Sequence, residues 1–300
     1  MGDATGAMAI TGVGTTRRRF QAVLFLLPAI GTFLLFKYVP MFEAFRMSLY
    51  DWAIMDPPGR FVGLEQFNKA FSSSLFWDAW RNNLVLFFLT MLLGFWPPII
   101  QAVLLNEIRR GQTLFRLGYL LPLMVPPMAG MLVWKWIYNV DYGLLNQLVG
   151  LTGISPQHWL GDPRLAKFSL ALPGILGGGM GVFMYLAAIK GVPESHFEAA
   201  AIDGAGPFAK FVHVMLPLIR YMLLLQFLFA LAIGFQVFDQ VFVLTAGGPA
   251  GSTRVIALLI YRYAFENYEM GLASAIAICM FGVVLVLAVI QLWISKLDTE

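Results

Sequence analysis

Residues 194–217 read ESHFEAAAIDGAGPFAKFVHVMLP and form a polar stretch between two long apolar runs. Pro193 just before this stretch suits the start of a helix, because an N–H there would have no partner within the helix anyway. Ala199–Ala201 are strong helix formers. Gly204 and Gly206 supply the permissive backbone that a helix stop and a turn require. The stretch therefore predicts two short helices joined by a bend, either as a knob that docks into a partner or as an ordinary amphipathic connector.

The spacing of residues in this stretch resembles the cytoplasmic coupling loop of permease subunits from binding-protein-dependent ABC importers. The family pattern is Glu-Ala-Ala, three residues, Gly, nine residues, an aliphatic residue, one residue and Leu-Pro. Here it falls on Glu198, Ala199, Ala200, Gly204, Val214, Leu216 and Pro217. The resemblance implies that this loop, including Asp203, couples the chain to a separate ATPase subunit that binds ATP and magnesium. No catalytic residue, cofactor or metal is expected on this chain, whose sequence has no Gly-x-x-x-x-Gly-Lys-Ser/Thr phosphate-binding loop.

The composition is that of a membrane protein. Of 300 residues, 59% are hydrophobic and only 12% are charged, which does not fit a soluble globular domain. The net charge of +3 comes from scattered basic residues, so nothing indicates nucleic-acid binding. A single cysteine, Cys279, excludes a disulfide within the chain, and the three histidines are too far apart for metal-ligand spacing.

Six apolar segments are long enough to cross a bilayer, which takes roughly 20 residues in a helix. Their apolarity is continuous, whereas an outer-membrane strand would alternate. The sequence therefore predicts an all-α polytopic membrane protein with six transmembrane helices. The predicted spans are Phe20–Phe36, Leu84–Leu105, Leu117–Trp134, Phe168–Ile189, Tyr221–Phe238 and Gly271–Ser295, of which the third and fifth extend through Tyr138 and Phe242. Short helices are also predicted at Leu64–Phe71 and Gly143–Leu151.

The predicted spans define one permease domain, residues 20–296, with a flexible cytoplasmic tail at 1–19 and a short cytoplasmic tail at 297–300. The coupling loop, about residues 191–218, joins spans four and five. Because the resemblance places this loop in the cytoplasm, six spans put both termini there as well. Basic residues in the short loops favour the same orientation. The external loops are then about 51–80, 140–167 and 246–270.

Proline and glycine are unusually frequent within the predicted spans. In span four, Gly177–Gly179 and Gly181 precede Tyr185. Broken helices are tolerated in a membrane where neighbouring helices or a water-filled cavity satisfy the freed backbone groups, and glycines let other groups approach the backbone. Gly179, Gly181 and Tyr185 are therefore candidate substrate-path residues, with tight helix packing as the alternative interpretation.

Span five carries the polar groups that could line such a path. Gln236 and Asp239 are three residues apart and are predicted to share a helix face. An ionisable residue at membrane depth is costly and usually functional. Phe235 beside them could stack on the C–H face of a sugar. The alternative is that Asp239 lies at the outer interface and that the aromatic side chain only packs or contacts lipid.

A second resemblance extends over most of residues 20–296. The run FDQVFVLTAGGP at 238–249 is similar to the FD-x(5)-T-x-GGP stretch of carbohydrate-uptake ABC permeases. This resemblance implies an ABC importer type I permease fold in the lipid of a bacterial inner membrane. It also implies four kinds of partner: a second homologous permease subunit, two ATPase subunits, an extracytoplasmic solute-binding protein and a carbohydrate substrate, such as an oligosaccharide or polysaccharide fragment.

Three other functions stay open from the sequence. The chain could be an ABC permease for glycerol-phosphate or another non-sugar solute, or one for peptides or amino acids. It could also be an ion-coupled secondary transporter, which would need an intramembrane ionisable group. Asp239 is the one candidate for that group within the predicted spans.

Overall fold

The computed structural model describes four stretches of the chain: residues 13–55, 59–108, 110–177 and 179–297. These stretches are built from helices and contain no β-strand, only two isolated bridges between loop residues. Most of the N-terminal tail predicted at 1–19 lies outside the described residues, as do the last three residues of the C-terminal tail.

Six membrane spans make up the fold. Three helices are each long and apolar enough to cross a membrane: Val23–Met47, Ser74–Glu107 and Met270–Trp293. Three pairs of helices are long and apolar enough only when each pair is taken as one span. The first pair, Gln112–Met124 with Pro127–Ile137, bends by 97°. The second, Ala166–Leu176 with Met180–Lys190, bends by 43°, and the third, Pro207–Leu218 with Arg220–Gly234, bends by 75°. The prediction of an all-α protein with six transmembrane helices is confirmed, with three of the six broken.

The individual segments show where the chain departs from regular α-helix. In chain order they are Val13–Phe33, Leu34–Tyr38 (π), Val39–Met47, Glu65–Ser72, Ser74–Gly94, Pro97–Glu107, Gln112–Leu120, Leu121–Met124 (3-10), Pro127–Ile137, Leu144–Gly150, Ala166–Ala171, Leu172–Leu176 (3-10), Met180–Lys190, Glu194–Ile202, Pro207–Lys210, Phe211–Met215 (π), Leu216–Leu218, Arg220–Gly234, Asp239–Leu244, Ile256–Tyr261, Arg262–Glu266 (π) and Met270–Leu297. The two short helices predicted in the external loops are present, at Glu65–Ser72 and Leu144–Gly150.

The helix of span two begins ten residues before its predicted start at Leu84. It starts at Ser74, so the loop predicted at 51–80 is shorter than expected. Phe76 and Ala79 in the added turns are almost completely buried. Apolar content alone does not reveal this extension, because polar residues such as Asn82 and Asn83 interrupt the run while the helical face stays buried.

The loop predicted at 246–270 contains a buried helix that the sequence interpretation missed. Ile256–Tyr261 is helical, and Ile256, Leu258 and Leu259 are each at most 3% exposed. Six residues are too few to cross a bilayer, so the length criterion for a span passed over this segment. The helix packs into the core beside spans two and six.

The core divides into clusters at different depths. Ile256 and Leu259 pack with Phe76 and Ile276 in one cluster, which joins spans two and six to the buried loop helix. A second cluster joins spans two and four to the segment that follows the coupling loop. By contrast, the apolar side chains of Val23–Phe36 in span one are largely exposed, so this span faces lipid or another chain.

Candidate functional site

The predicted coupling loop begins with a short helix that protrudes from the end of span four. The helix Glu194–Ile202 follows Pro193, whose φ of −59° and ψ of 133° place it just outside the first turn. Glu194 supplies a negative charge in that first turn, where the helix dipole favours it. Ala199 is exposed and Ala200 is half-buried, so small side chains face outward along this helix.

Gly204 ends the helix through its backbone conformation. Its φ is +77°, a left-handed value that glycine adopts without a Cβ penalty. The backbone N–H of Ala205 donates to the Ala200 carbonyl at 2.8 Å, and the N–H of Gly204 donates to the Ala201 carbonyl at 3.1 Å. These two bonds form a Schellman motif, which satisfies carbonyls that the helix end would otherwise leave free.

The outward surface of the loop combines apolar and acidic side chains. Ile202 is 87% exposed and Phe208 is 78% exposed. Glu198 and Asp203 are exposed too, and neither side chain forms a hydrogen bond or an ion pair in the described part of the chain. A partner that covers Ile202 and Phe208 would remove both apolar side chains from water, which is what the knob interpretation expects of this loop.

The inward face of the loop is fixed to the membrane spans. Phe197 of the coupling helix and Leu216 beyond the turn both pack against one buried cluster. That cluster contains Ile99 and Leu105 of span two, Val182, Tyr185, Leu186 and Ile189 of span four, and Met215 and Ile219. Because a packed core transmits displacement, a push on the coupling helix reaches spans two and four directly.

The second helix of the loop ends almost where predicted. It runs from Pro207 to Leu218, one residue past Pro217, and includes a π-helical turn at Phe211–Met215. Ile219, with φ of −97° and ψ of 13°, then separates it from Arg220–Gly234, and the two parts meet at 75°. The coupling loop therefore enters span five through a bend.

Span four breaks at the glycine cluster. Gly177 and Gly179 have φ of +60° and +71°, and the helical parts on either side differ in direction by 43°. The side-chain amide of Gln101 in span two donates a hydrogen bond to the Leu176 carbonyl. Gly181 lies directly against Pro98, with 3.5 Å between the Pro98 Cβ and an idealised Cβ on the glycine. The broken helix is therefore supported by span two. Such support is expected both for a substrate path lined by broken helices and for tight helix packing alone.

Tyr185 lies in the cluster beneath the coupling loop. Only 2% of the residue is exposed, and its hydroxyl has no hydrogen-bond partner among the described residues. In this conformation the side chain is enclosed between spans two and four rather than lining an opening.

Gln236 and Asp239 do not share a helix face, so that part of the prediction is wrong. The helix of span five ends at Gly234, residues 235–238 are not helical, and a new helix begins at Asp239. Spacing of i and i+3 brings side chains together only on a continuous helix. Both side chains are nevertheless exposed, and the Gln236 amide donates to the Ala232 carbonyl at 2.7 Å.

Phe235 points into the protein instead of toward an open path. It is 3% exposed, and its ring centroid lies 4.8 Å from that of Phe87 in span two. The Asn83 side-chain amide donates to the Phe235 carbonyl at 3.5 Å. Phe235 therefore anchors the end of the helix Arg220–Gly234 against span two.

Known proteins share this architecture. The family described as binding-protein-dependent transport system inner membrane component matches residues 100–297, which include the coupling loop and the last four spans. The chain belongs to this family. It is a multi-pass inner-membrane permease subunit, a transport component rather than an enzyme, and no group of three metal-ligating side chains occurs in the part of the permease that the structure describes.

Two curated relatives match the permease over nearly its whole length. The probable ABC transporter permease protein YurN of Bacillus subtilis (strain 168) is 32% identical over 282 residues, 92% of this chain and 96% of the relative. The trehalose/maltose transport system permease protein MalF of Thermococcus litoralis is 31% identical over 274 residues, 91% and 92% of the two chains.

A solved structure has the same fold. It is a chain of a bacterial alginate ABC transporter in complex with an alginate pentasaccharide-bound periplasmic protein, with a TM-score of 0.82 at 25% identity. The match covers 96% of the permease and 98% of that chain. The ABC importer permease fold predicted from the sequence is thereby confirmed.

Sequence reasoning missed two supports of the broken spans. Gln101 carries the hydrogen bond at the break in span four, and Gly94 in span two touches Gly174 in span four, where a Cβ on Gly174 would lie 3.1 Å from the Gly94 Cα. A polar residue and an isolated glycine inside apolar runs were the available signals, since each is costly in a helix without a specific contact.

Proposed function

We propose that this permease takes up an oligosaccharide or polysaccharide fragment that a solute-binding protein delivers. ATP hydrolysis on separate ATPase subunits drives the uptake. The relatedness to a trehalose/maltose permease and the shared fold with an alginate importer support a carbohydrate substrate. The observation that carries the proposal is the coupling loop, whose outer face is exposed while its inner face is packed on two spans.

In the proposed assembly, this chain pairs with a second, homologous permease subunit above two ATPase subunits. The coupling loop faces the cytoplasm, and so do both termini. The solute-binding protein docks on the opposite side, where the loops between spans one and two, three and four, and five and six lie. ATP and magnesium bind to the ATPase subunits only.

The coupling helix transmits movement from the ATPase to the membrane. Ile202 and Phe208 insert into an apolar cleft of the ATPase, and Glu198 and Asp203 accept charge-assisted hydrogen bonds at its rim. Ala199 and Ala200 allow close approach, and Gly204 sets the direction of the turn. Leu216 and Pro217 then join the loop to span five, and the cluster around Phe197 moves spans two and four together.

The substrate path in this proposal lies where the spans break. Gly179 and Gly181 have no side chains and so leave room for the substrate beside span four. Gln236 and Asp239 offer exposed polar groups where span five is interrupted. Tyr185 and Phe235 are enclosed in this conformation, and they reach the path only when alternating access shifts spans four and five.

The test of the coupling role is Gly204→Asp in the importer reconstituted with its co-purified partners. A carboxylate and its added bulk at the left-handed turn should abolish most of the ATP hydrolysis that the solute-binding protein stimulates, and uptake should fall in parallel. Membrane abundance should stay near that of the unchanged protein, because a side chain at Gly204 meets no atom of this chain within 4 Å of its Cβ.

The matched control is Gly111→Asp. Gly111 also has a left-handed φ, +76°, and an added Cβ there would likewise meet nothing within 4 Å. It lies in the loop between spans two and three, on the same side of the membrane as the coupling loop but outside it. Equal losses in both variants, or normal stimulation in Gly204→Asp, would show that the coupling loop is not the joint to the ATPase.

The substrate class is tested separately in the same vesicles. Purified solute-binding protein loaded with an oligosaccharide should stimulate ATP hydrolysis and uptake, whereas glycerol-phosphate should not. Stimulation by glycerol-phosphate alone would replace the sugar with the alternative solute and leave the coupling role intact.

A further inference from the structure

Two cavities meet at Arg81, in the second turn of the helix Ser74–Gly94. A mainly apolar groove of about 1130 Å³ lies between spans two, five and six. A polar pocket of about 420 Å³ lies between the start of span two, the start of span four and the loop between spans five and six. Arg81 and Val85 line both cavities, so the apolar groove and the polar pocket share one wall.

The groove has the length and chemistry of an acyl-chain site. Its lining on span two runs from Phe76 to Phe88, a rise of about 18 Å at the helical spacing. That is somewhat more than half of the roughly 30 Å hydrocarbon thickness of a bilayer. Val283 and Val286 of the last helix form the opposite wall. The groove is thus long enough for much of one acyl chain. Trp77 and Trp80 line it beside Arg81, and tryptophan is a residue type that is enriched at membrane interfaces.

The polar pocket carries an excess of positive charge. Arg81, Lys167 and Arg254 line it, against the single carboxylate of Asp78. None of the three cations forms an ion pair within the described residues. The Asn82 side-chain amide donates to the Arg254 carbonyl at 3.0 Å, which fixes the loop of Arg254 beside span two. Three unpaired cations from three segments suit a phosphate, to which guanidinium groups bind in bidentate geometry.

We propose that an anionic phospholipid binds at this junction, with one acyl chain in the groove and its phosphate on Arg81, Lys167 and Arg254. The carboxylate of a docking protein would fill the polar pocket but leave the adjoining groove without an occupant. A phospholipid fills both, because its phosphate is joined directly to its acyl chains, as the polar pocket is joined to the apolar groove. This site does not depend on the transported solute.

The experiment measures lipid retention by native mass spectrometry on the permease, purified from its membrane with its partners and stripped of lipid. Phosphatidylglycerol should bind as one tight adduct per permease, and phosphatidylcholine should bind more weakly. Arg81→Gln should weaken phosphatidylglycerol binding about fivefold, the effect typical of one basic side chain near a membrane surface. The control is Arg164→Gln, which removes the same charge at an exposed residue that lines neither cavity.

A second pair of variants tests the groove. Val286→Trp fills it and should weaken binding of the same lipid, whereas Leu285→Trp places the same side chain at the neighbouring exposed position outside the groove. If Arg81→Gln does not assemble, Lys167→Gln takes its place. Unchanged lipid binding in both the charge and the groove variants overturns the proposal. So does a charge variant that keeps the lipid but loses stimulation by the solute-binding protein, since the polar pocket is then a protein-docking site.

Discussion

Gly204 acts through its backbone conformation and not through lack of space within the chain. An added Cβ would meet no atom within 4 Å, yet the φ of +77° lies in the region that side chains disfavour. Gly206, two residues later, is equally open but has φ of −71°, which any residue adopts. Alanine at Gly204 therefore introduces backbone strain, whereas alanine at Gly206 adds the same methyl group without strain.

We expect Gly204→Ala to loosen the end of the coupling helix, because a left-handed conformation costs about 1–2 kcal/mol for a residue with a Cβ. The amides of Gly204 and Ala205, whose hydrogen bonds close the helix, should exchange hydrogen faster in hydrogen-exchange mass spectrometry. Gly206→Ala should leave their exchange unchanged. Equal exchange in both variants would contradict a strained turn at Gly204.

Gln236 and Asp239 remain the polar groups to test along the substrate path. We expect Gln236→Ala and Asp239→Asn each to lower uptake in reconstituted vesicles, while the ATPase subunits still co-purify with the permease. Both side chains are exposed where span five is interrupted, so removing them should not open a cavity in the core. Unchanged uptake kinetics in both variants would assign these positions a structural role.

Among the helical elements, two interruptions are held by span two. The break at the glycine cluster of span four receives the side-chain amide of Gln101, and the interruption after Gly234 in span five receives that of Asn83. Both donors lie on span two, so this span supports the two interrupted helices that flank the coupling loop. A backbone carbonyl freed by a helix break must find such a partner inside a bilayer, where no water replaces it.

We expect Gln101→Leu to lower the midpoint of thermal unfolding of the purified permease. Leucine is similar in size to glutamine, but the Leu176 carbonyl loses its donor. No water replaces that donor within the hydrocarbon layer, and an unsatisfied polar group away from water costs about 1–3 kcal/mol. Gln147→Leu is the matched control, because Gln147 donates to the Tyr142 carbonyl in an exposed loop. Equal midpoints for the two variants would mean that the break in span four does not need Gln101.

At the scale of the whole molecule, six spans and one coupling loop fix which loops share a side of the membrane. Ser155 lies in the loop between spans three and four, Ser195 lies in the coupling helix, and both are exposed. We expect Ser155→Cys to react with a membrane-impermeant maleimide in whole cells, and Ser195→Cys to react only after the membrane is opened. The native Cys279 is half-buried and common to both variants. Reversed labelling would invert the proposed orientation.

Local sequence patterns are enough to predict the number of spans, the all-α class, the position of the coupling loop and its turn at Gly204. These depend on local signals: apolar length, the Glu-Ala-Ala and Gly spacing, and the short helices at Glu65–Ser72 and Leu144–Gly150. Each is decided by neighbours within a few residues or by the bilayer itself, so no long-range contact is needed to predict it.

Contacts between distant segments, in contrast, fix how the broken spans are held and which side chains the breaks leave exposed. The interruption at residues 235–238 places Gln236 and Asp239 outside a common helix. It also lets the ring of Phe235 pack against that of Phe87, which is far away in the sequence. The buried helix Ile256–Tyr261 and the junction of two cavities at Arg81 also depend on packing between distant segments. A broken helix persists in a membrane where neighbouring segments or a water-filled cavity satisfy its backbone groups, and packing between distant parts of the chain decides where such partners lie.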